Sequence, residues 1–383
     1  MSWSEAFLKD LADIQLGKML DKKKNQGEYR PYLGNDNVQW GFVDTSQIKE
    51  MKFKSSELER FSLRHGDILV CEGGDPGRCA LWLSDMPMCY QKALHRVRVY
   101  DRLDSRYLFH YLTYLGFTQE IRQYYTGGAT IKHLPKAALS RVVIRYPEIS
   151  IQKRIASILS AYDELIENNR KQIKLLEEAA QRLYKEWFID LKFPGHETTP
   201  IDPETNLPEG WRKGILSDIA EFKRGKTITA AQAEKGTIPV VAGGLEPAYY
   251  HSKANAKGPV VTISASGANA GFTRLYTTDI WASDCSFLSA DVSRVFLFVY
   301  ESVKCIGRNF KHLQRGSAQP HVYPSHINSM EMLIPTVHYQ VAFCETVKPF
   351  ISQISILHRS IEDAKEARDR LLPKLMSGEI EVN

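Results

Sequence analysis

The sequence predicts an α+β protein in which two globular α/β domains alternate with two long helices, built as a pseudo-twofold repeat with the helices paired as an antiparallel coiled coil. Three observations carry this prediction. The junction YPEISIQKRIASIL, with Pro147 and Gln152, recurs as IPTVHYQVAFCETV, with Pro335 and Gln340, at a constant spacing of 188 residues. Each junction opens an apolar stripe with heptad spacing. The segments before the junctions share short motifs.

Taken in order, residues 1–147 form the first domain. LADIQLGK (Leu11–Lys18) opens it, and GDILVCEGGDPG (Gly66–Gly77) reads as a strand ending in a glycine-rich turn. Asp67–Cys71 and Val142–Tyr146 are β-type runs, and Tyr107–Tyr114 is a helical patch. Residues 148–195 hold the first long helix. From Gln152 to about Trp187 there is no Pro or Gly, and Ile155, Leu159, Tyr162, Ile166, Asn169, Ile173, Leu176, Ala180, Leu183 and Trp187 step by four and three residues. Asn169 is the polar member of that seam, a device that fixes register at some cost in stability.

The second domain, residues 196–336, begins with the linker HETTPIDPETNLP and repeats the motifs of the first as LSDIAEFKRGK and GPVVTISASGANAG. Val260–Ser264 and Glu331–Ile334 are its clearest β-type runs. Residues 337–383 hold the second helix, where Phe343, Val347, Phe350, Ile354, Leu357, Ile361, Ala364, Arg368, Leu371 and Leu375 keep the phase of the first. Pro349 removes an internal hydrogen bond and is expected to kink this helix or delay its start. Expected stops are Phe193-Pro194-Gly195 for the first helix, and Pro373 or Ser377-Gly378 for the second.

At 383 residues, 43% hydrophobic and 25% charged, the chain has the composition of a soluble globular protein with more than one core. No signal peptide or membrane-length apolar run is evident, so a cytoplasmic location is expected. The six cysteines include no CxxC pair and read as free thiols. Net charge is +5 and unevenly placed: residues 1–147 carry 22 Lys and Arg against 17 Asp and Glu, and residues 200–336 carry 14 against 12. Two separate basic segments suit a polyanion held at two places.

Catalytic signatures are weak. The stretch from Ala220 to Thr227 has alanine where a phosphate-binding loop needs its first glycine, and Asp44 with Glu50 and Lys52 is too short a pattern to identify a nuclease. There is no GxGxxG, HExxH or GxSxG, and no Asn/Asp-Pro-Pro-aromatic motif. Loops suited to nucleic acid remain. Lys22, Lys23 and Lys24, then Lys223, Arg224 and Lys226, and the run from Arg308 to Arg315 that includes Lys311, are basic clusters in predicted loops, able to neutralise phosphates. The loops GGATIKH, with Thr130, Lys132 and His133, and GSAQPHV, with Gln319 and His321, combine small residues with groups that can reach base edges. Arg78 and Arg274 follow the two glycine-rich turns and join the candidate DNA contacts.

These motifs together resemble the specificity subunits of type I restriction–modification systems, over essentially the whole chain. The features that carry the likeness are the LxDI…GK starts, the glycine-rich loop before a Pro-ended strand, the paired Pro…Gln junctions, and the terminal LLPKLMSGEIEV. The resemblance implies two target recognition domains on spacer helices and no catalytic residues. It implies binding to double-stranded DNA with an asymmetric bipartite target, and partnership with two modification subunits and with restriction subunits. S-adenosylmethionine, ATP and magnesium would act on those partners, and neither a cofactor nor a metal on this chain. The alternative reading is a structural adaptor whose two domains bind proteins.

Overall fold

The computed structural model describes residues 3–21, 25–127, 132–307 and 321–382. It divides into two compact units: Met1–Asn168 with Ser360–Asn383, and Asn169–Arg359.

In unit one, β1 (Ser4–Phe7) passes through a single helical turn, α1 (Leu8–Leu11), into β2 (Ala12–Leu16). Strands β3 (Glu28–Leu33), β4 (Val38–Gln39), β5 (Phe42–Val43) and β6 (Lys49–Phe53) precede helix α2 (Ser55–Phe61). Strands β7 (Ile68–Cys71), β8 (Cys79–Leu81), β9 (Cys89–Tyr90) and β10 (Leu94–Val99) follow. Helix α3 (Ser105–Phe117), the short α4 (Lys136–Leu139) and β11 (Val143–Tyr146) then lead into the 40-residue helix α5 (Ile149–Phe188). The strands assemble as an antiparallel sheet β2-β10-β7-β8, a second sheet β6-β3-β9, and the pairs β1-β11 and β4-β5.

Strand β7 shows why its sequence is apolar throughout. Side chains alternate across a strand, so Ile68 and Val70 enter one core cluster while Leu69 and Cys71 enter another. The first cluster also holds Leu108 and Leu112 of α3, Ile155 and Leu159 of α5, and Leu372, Leu375 and Met376 from the last helix of the chain. Helix α3 is capped by Asp104, whose carboxylate accepts from the Tyr107 amide at 2.9 Å. Its His110 is buried against α5, with Nε2 3.2 Å from the Ser160 hydroxyl.

Unit two repeats this wiring. It contains β12 (Arg212–Ile215), β13 (Lys223–Arg224), β14 (Ile238–Val241), β15 (Tyr249–His251), β16 (Val260–Ser264), β17 (Thr273–Tyr276), β18 (Trp281–Ala282), β19 (Cys285–Ser289) and β20 (Glu331–Ile334). Helices α6 (Phe296–Gly307) and α7 (Pro324–Asn328) precede the 41-residue α8 (Val337–Ser377). The sheet orders are β13-β19-β16-β17 and β15-β14-β18, with the pair β12-β20. Substituting element for element gives the order found in unit one, down to the parallel partner of the middle strand, β9 beside β3 and β18 beside β14.

Within unit one, Asp163 of α5 meets Arg368 of α8 at 2.6 Å, and Ile155 and Leu159 share a cluster with Leu372 and Leu375, so these helix segments run antiparallel. Within unit two the two helices also pack together, with the Trp187 ring 5.8 Å and the Phe188 ring 5.2 Å from the Phe343 ring. Among the seam residues, Ile155, Leu159, Ile166, Asn169, Ile173, Phe343, Val347, Ile354, Leu357 and Ile361 are buried, and Tyr162 is half-buried. The seam departs from heptad spacing at Leu183 and Phe350, where the neighbours Tyr184 and Ile351 take the buried place. A straight α-helix drifts against a seven-residue repeat, which accounts for such one-residue shifts.

Pro349 does not delay α8, which begins at Val337 and continues past it. The residue is exposed, and the lost hydrogen bond falls on the solvent side. Nor does Pro373 end the helix: α8 runs to Ser377 and stops at Gly378, whose φ of +79° is left-handed. Helix α5 ends at Phe188, five residues before the expected Phe193-Pro194-Gly195 stop. Phe193 instead turns back into the core, with its ring 4.7 Å from Trp211 and 4.6 Å from Tyr339.

Candidate nucleic-acid interface

In unit one, three loops converge after the end of β7. The glycine-rich turn needs its glycines: Gly74 and Gly77 have φ of +75° and +87°, and a Cβ on Gly73 would lie 3.1 Å from His133 Nδ1. Asn35 donates to the Gly73 carbonyl at 3.1 Å, and the Trp40 indole donates to Asp75 at 2.9 Å. Leu134 N donates to the Glu72 carbonyl at 2.7 Å, while Thr126 and His133 exchange backbone bonds of 2.8 and 2.9 Å. Beneath them the fully buried His95 places Nε2 2.9 Å from the Leu134 carbonyl, and burial holds this imidazole below its ordinary pKa, in the neutral form.

Unit two builds the same place with different chemistry. Val322 N donates to the Ala265 carbonyl at 2.9 Å, as Leu134 does to Glu72, and Ser266 and His321 form the adjoining bridge. Ser264 Oγ donates to the Gly243 carbonyl at 3.2 Å. Gly267 and Gly271 supply the left-handed backbone. Facing this loop, Arg224 donates to Asp284 at 2.5 Å, and Tyr323 stacks on His321 with 5.8 Å between centroids.

The sequence-predicted contacts divide accordingly. Lys132 and His133 in unit one, and Lys223, Arg224, Lys226 and His321 in unit two, are exposed at or beside these loops. Lys223 and Arg224 lie on edge strand β13 rather than in a loop, because they pair with Phe287 and Ser286 of β19. Arg78 is half-buried and donates to the Asn35 carbonyl at 3.1 Å, which makes it a brace of the loop. Arg274 donates to the Leu245 carbonyl and lies 3.5 Å from Glu246. Lys22, Lys23, Lys24, Thr130, Lys311, Arg315 and Gln319 lie outside the described residues.

Asp284, Ser266 and Tyr323 were not singled out from the sequence. Only the position of Tyr323 beside the Pro-ended loop pointed to one of them. The lysines of the two GK motifs also part company. Lys18 is buried, 2.5 Å from Glu57 and 4.9 Å from the Phe53 ring, whereas Lys226 is exposed. Burial pushes the thiols of Cys71, Cys79 and Cys285 up to about 11, 12 and 12, the opposite of an activated nucleophile. Among the described residues, no group of three or more His, Cys, Asp or Glu is arranged to hold a metal ion.

The arrangement is a pair of loop-bearing sheet ends with basic and polar side chains, and comparison with known proteins decides its class. A model of the family described as "Type I restriction modification DNA specificity domain" matches residues 2–178 and 208–366. The chain belongs to that family. Specificity-family relatives cover nearly all of it: the type I restriction enzyme MjaIX specificity subunit of Methanocaldococcus jannaschii is 25% identical over 419 residues, with 99% of this chain and 94% of the relative aligned. The MjaVIII specificity subunit of the same organism is 22% identical, covering 92% and 87%. The crystal structure of a type I restriction–modification S subunit from M. genitalium shares the fold, at a TM-score of 0.58 and 18% identity over 98% of this chain and 96% of that one. As a specificity subunit, the chain is a DNA-recognition component of a multisubunit restriction–modification complex and is not itself the catalyst. Among the described residues, no helix is long and apolar enough to cross a membrane.

Proposed function

We propose that this specificity subunit reads a bipartite, asymmetric DNA target, one half with the domain of residues 1–147 and the other with that of residues 196–336. The observation that carries the reading is the repeated sheet wiring, which presents loops of different chemistry at the same end of equivalent strands. Equal frameworks bring each loop set to a duplex in the same manner, and unequal loops read different bases. Lys132, His133, Lys223, Arg224, Lys226 and His321, with the half-buried Arg78 and Arg274, are the described residues assigned to contact DNA, and Lys22, Lys23, Lys24, Thr130, Lys311, Arg315 and Gln319 complete the set.

Two modification subunits dock on the outer faces of the helices and bring S-adenosylmethionine, and restriction subunits bring ATP and magnesium, in the cytoplasm. Supporting this, α5 exposes Leu165 at 43% and Leu175 at 64%, and α8 exposes Ile356 at 50%, apolar surface that a buried partner face would use. Methylome sequencing of a host expressing the chain with its modification subunit tests the proposal. A motif of two unlike half-sites around an unread gap is expected, and a continuous motif, or none, overturns it.

A further inference from the structure

Arg224 is held in a manner that phosphate binding does not require. It sits on edge strand β13 opposite Ser286, and its Nη2 donates to Asp284 Oδ1 at 2.5 Å. The second carboxylate oxygen of Asp284 accepts the Ser266 hydroxyl, so the acceptor is itself anchored in the glycine-rich loop. The guanidinium carbon lies 5.9 Å from the centroid of Tyr323, whose ring is near-parallel to His321 at 14°. The Arg224 side chain remains 40% exposed and that of Asp284 33%. One edge is thus bonded, an aromatic ring lies within cation–π reach, and the side chain is still open to a ligand.

A phosphate anchor works through net charge, and a lysine on a flexible stem suffices. Here the carboxylate offsets the charge that counterion release would draw on. What the ion pair and the ring supply instead is a fixed plane, the requirement for two parallel hydrogen bonds to the O6 and N7 of guanine in the major groove. Among the described residues, the arrangement belongs to unit two alone. His95 in β10 holds the place that Ser286 holds in β19, and the residue opposite His95 is Leu16. Lys223, next on the same strand, points to the other face and lies free of any described ion pair.

We propose that Arg224, buttressed by Asp284 and Tyr323, is a specificity-determining residue that reads one guanine in the half-site bound by unit two. This rests on the DNA-recognition reading above. The test uses the full chain assembled with its modification subunit, selecting sites from random duplex DNA, for wild type, Arg224→Lys, Arg224→Ala and Asp284→Asn. Arg224→Lys keeps the charge and loses the fork, and Asp284→Asn keeps the shape and loosens the buttress, so both remain informative if Arg224→Ala folds poorly.

The expected result is loss of guanine preference at one position of one half-site, by about five- to 150-fold in Arg224→Lys, with a smaller relaxation at that same position in Asp284→Asn. Other positions and the salt dependence of affinity stay as in wild type. Unchanged preference at every position overturns the proposal. So does a uniform loss of affinity in Arg224→Ala with the salt slope reduced by about one, the mark of a phosphate contact. A wild-type complex that selects no bipartite site overturns the underlying reading instead.

Discussion

Gln152 donates through Nε2 to the carbonyl of Pro147 at 2.9 Å, and Gln340 repeats that bond to Pro335 at 2.8 Å. Both glutamines are buried. The amide reaches back five residues and satisfies a carbonyl stranded where a strand hands over to a helix, which is the physical reason for the recurring Pro…Gln spacing. Gln152 also donates to the Arg102 carbonyl at 3.0 Å and accepts from the Asp104 amide at 2.8 Å, tying the start of α3 to the start of α5. Gln152→Ala should therefore destabilise by about 2–4 kcal/mol and Gln340→Ala by about half as much, measured as calorimetric unfolding shifts.

His110 and Glu301 are buried titratable groups on α3 and α6, each facing α5 within its own unit. Burial, with Arg368 and Arg106 nearby, pushes the His110 imidazole down to about 3. Asp163 is 3.9 Å away, but Arg368 occupies it at 2.6 Å and so offsets its pull on an imidazolium. The unfolded chain takes up this proton near pH 6.5 and the folded chain does not, so stability falls as pH drops below about 6.5. The His110→Gln variant should flatten that part of a pH-dependent unfolding curve; an unchanged slope would assign the acid sensitivity to other groups.

Glu301 behaves in the opposite sense. Burial, with Glu177 nearby, raises its carboxyl above the ordinary value, against the pull of Lys304 and of its bond from Gln181. The stability it contributes is present at low pH and is lost as pH rises through the raised value. Glu301→Gln keeps an acceptor for Gln181 and removes the buried charge. Its unfolding midpoint should exceed that of wild type at pH 8 and match it near pH 4.

Lys223 and Arg224 are expected to separate. Lys223 is exposed on β13, and Lys223→Ala should weaken binding to all duplexes alike and lower the salt slope by about one. Titrating affinity against salt for target and non-target DNA reads both effects. A loss confined to the target would make Lys223 a base contact.

Pro349 leaves the Glu345 carbonyl without its helical donor on an exposed face of α8. Pro349→Ala should raise the unfolding midpoint of the subunit, by an amount equivalent to about 1–3 kcal/mol. A drop would mean that a bend at this position is used in packing.

The framework was legible because it repeats. Heptad stripes, the Pro…Gln junctions and the runs Val260–Ser264 and Glu331–Ile334 each rest on local pattern, and the strands at those two runs have these same bounds. The long helices were readable for the same reason, except where proline suggested breaks that tertiary packing overrides. The recognition surface was less legible. Arg224, Asp284 and Tyr323 are up to 99 residues apart in sequence and meet only because β13 pairs with β19 and the Val322 amide ties the following loop to Ala265. Lys18 and Lys226 show the converse, since one GK spelling yields a buried strut in one unit and an exposed cation in the other.

The shared wiring of β2-β10-β7-β8 and β13-β19-β16-β17 has a consequence for inheritance. If each unit reads its own half-site, as proposed, a mutation in one head would alter half of a two-part word and leave the other half's meaning untouched. Such a chain would acquire a new dialect in single steps, with the sheet framework shared by both heads left unchanged.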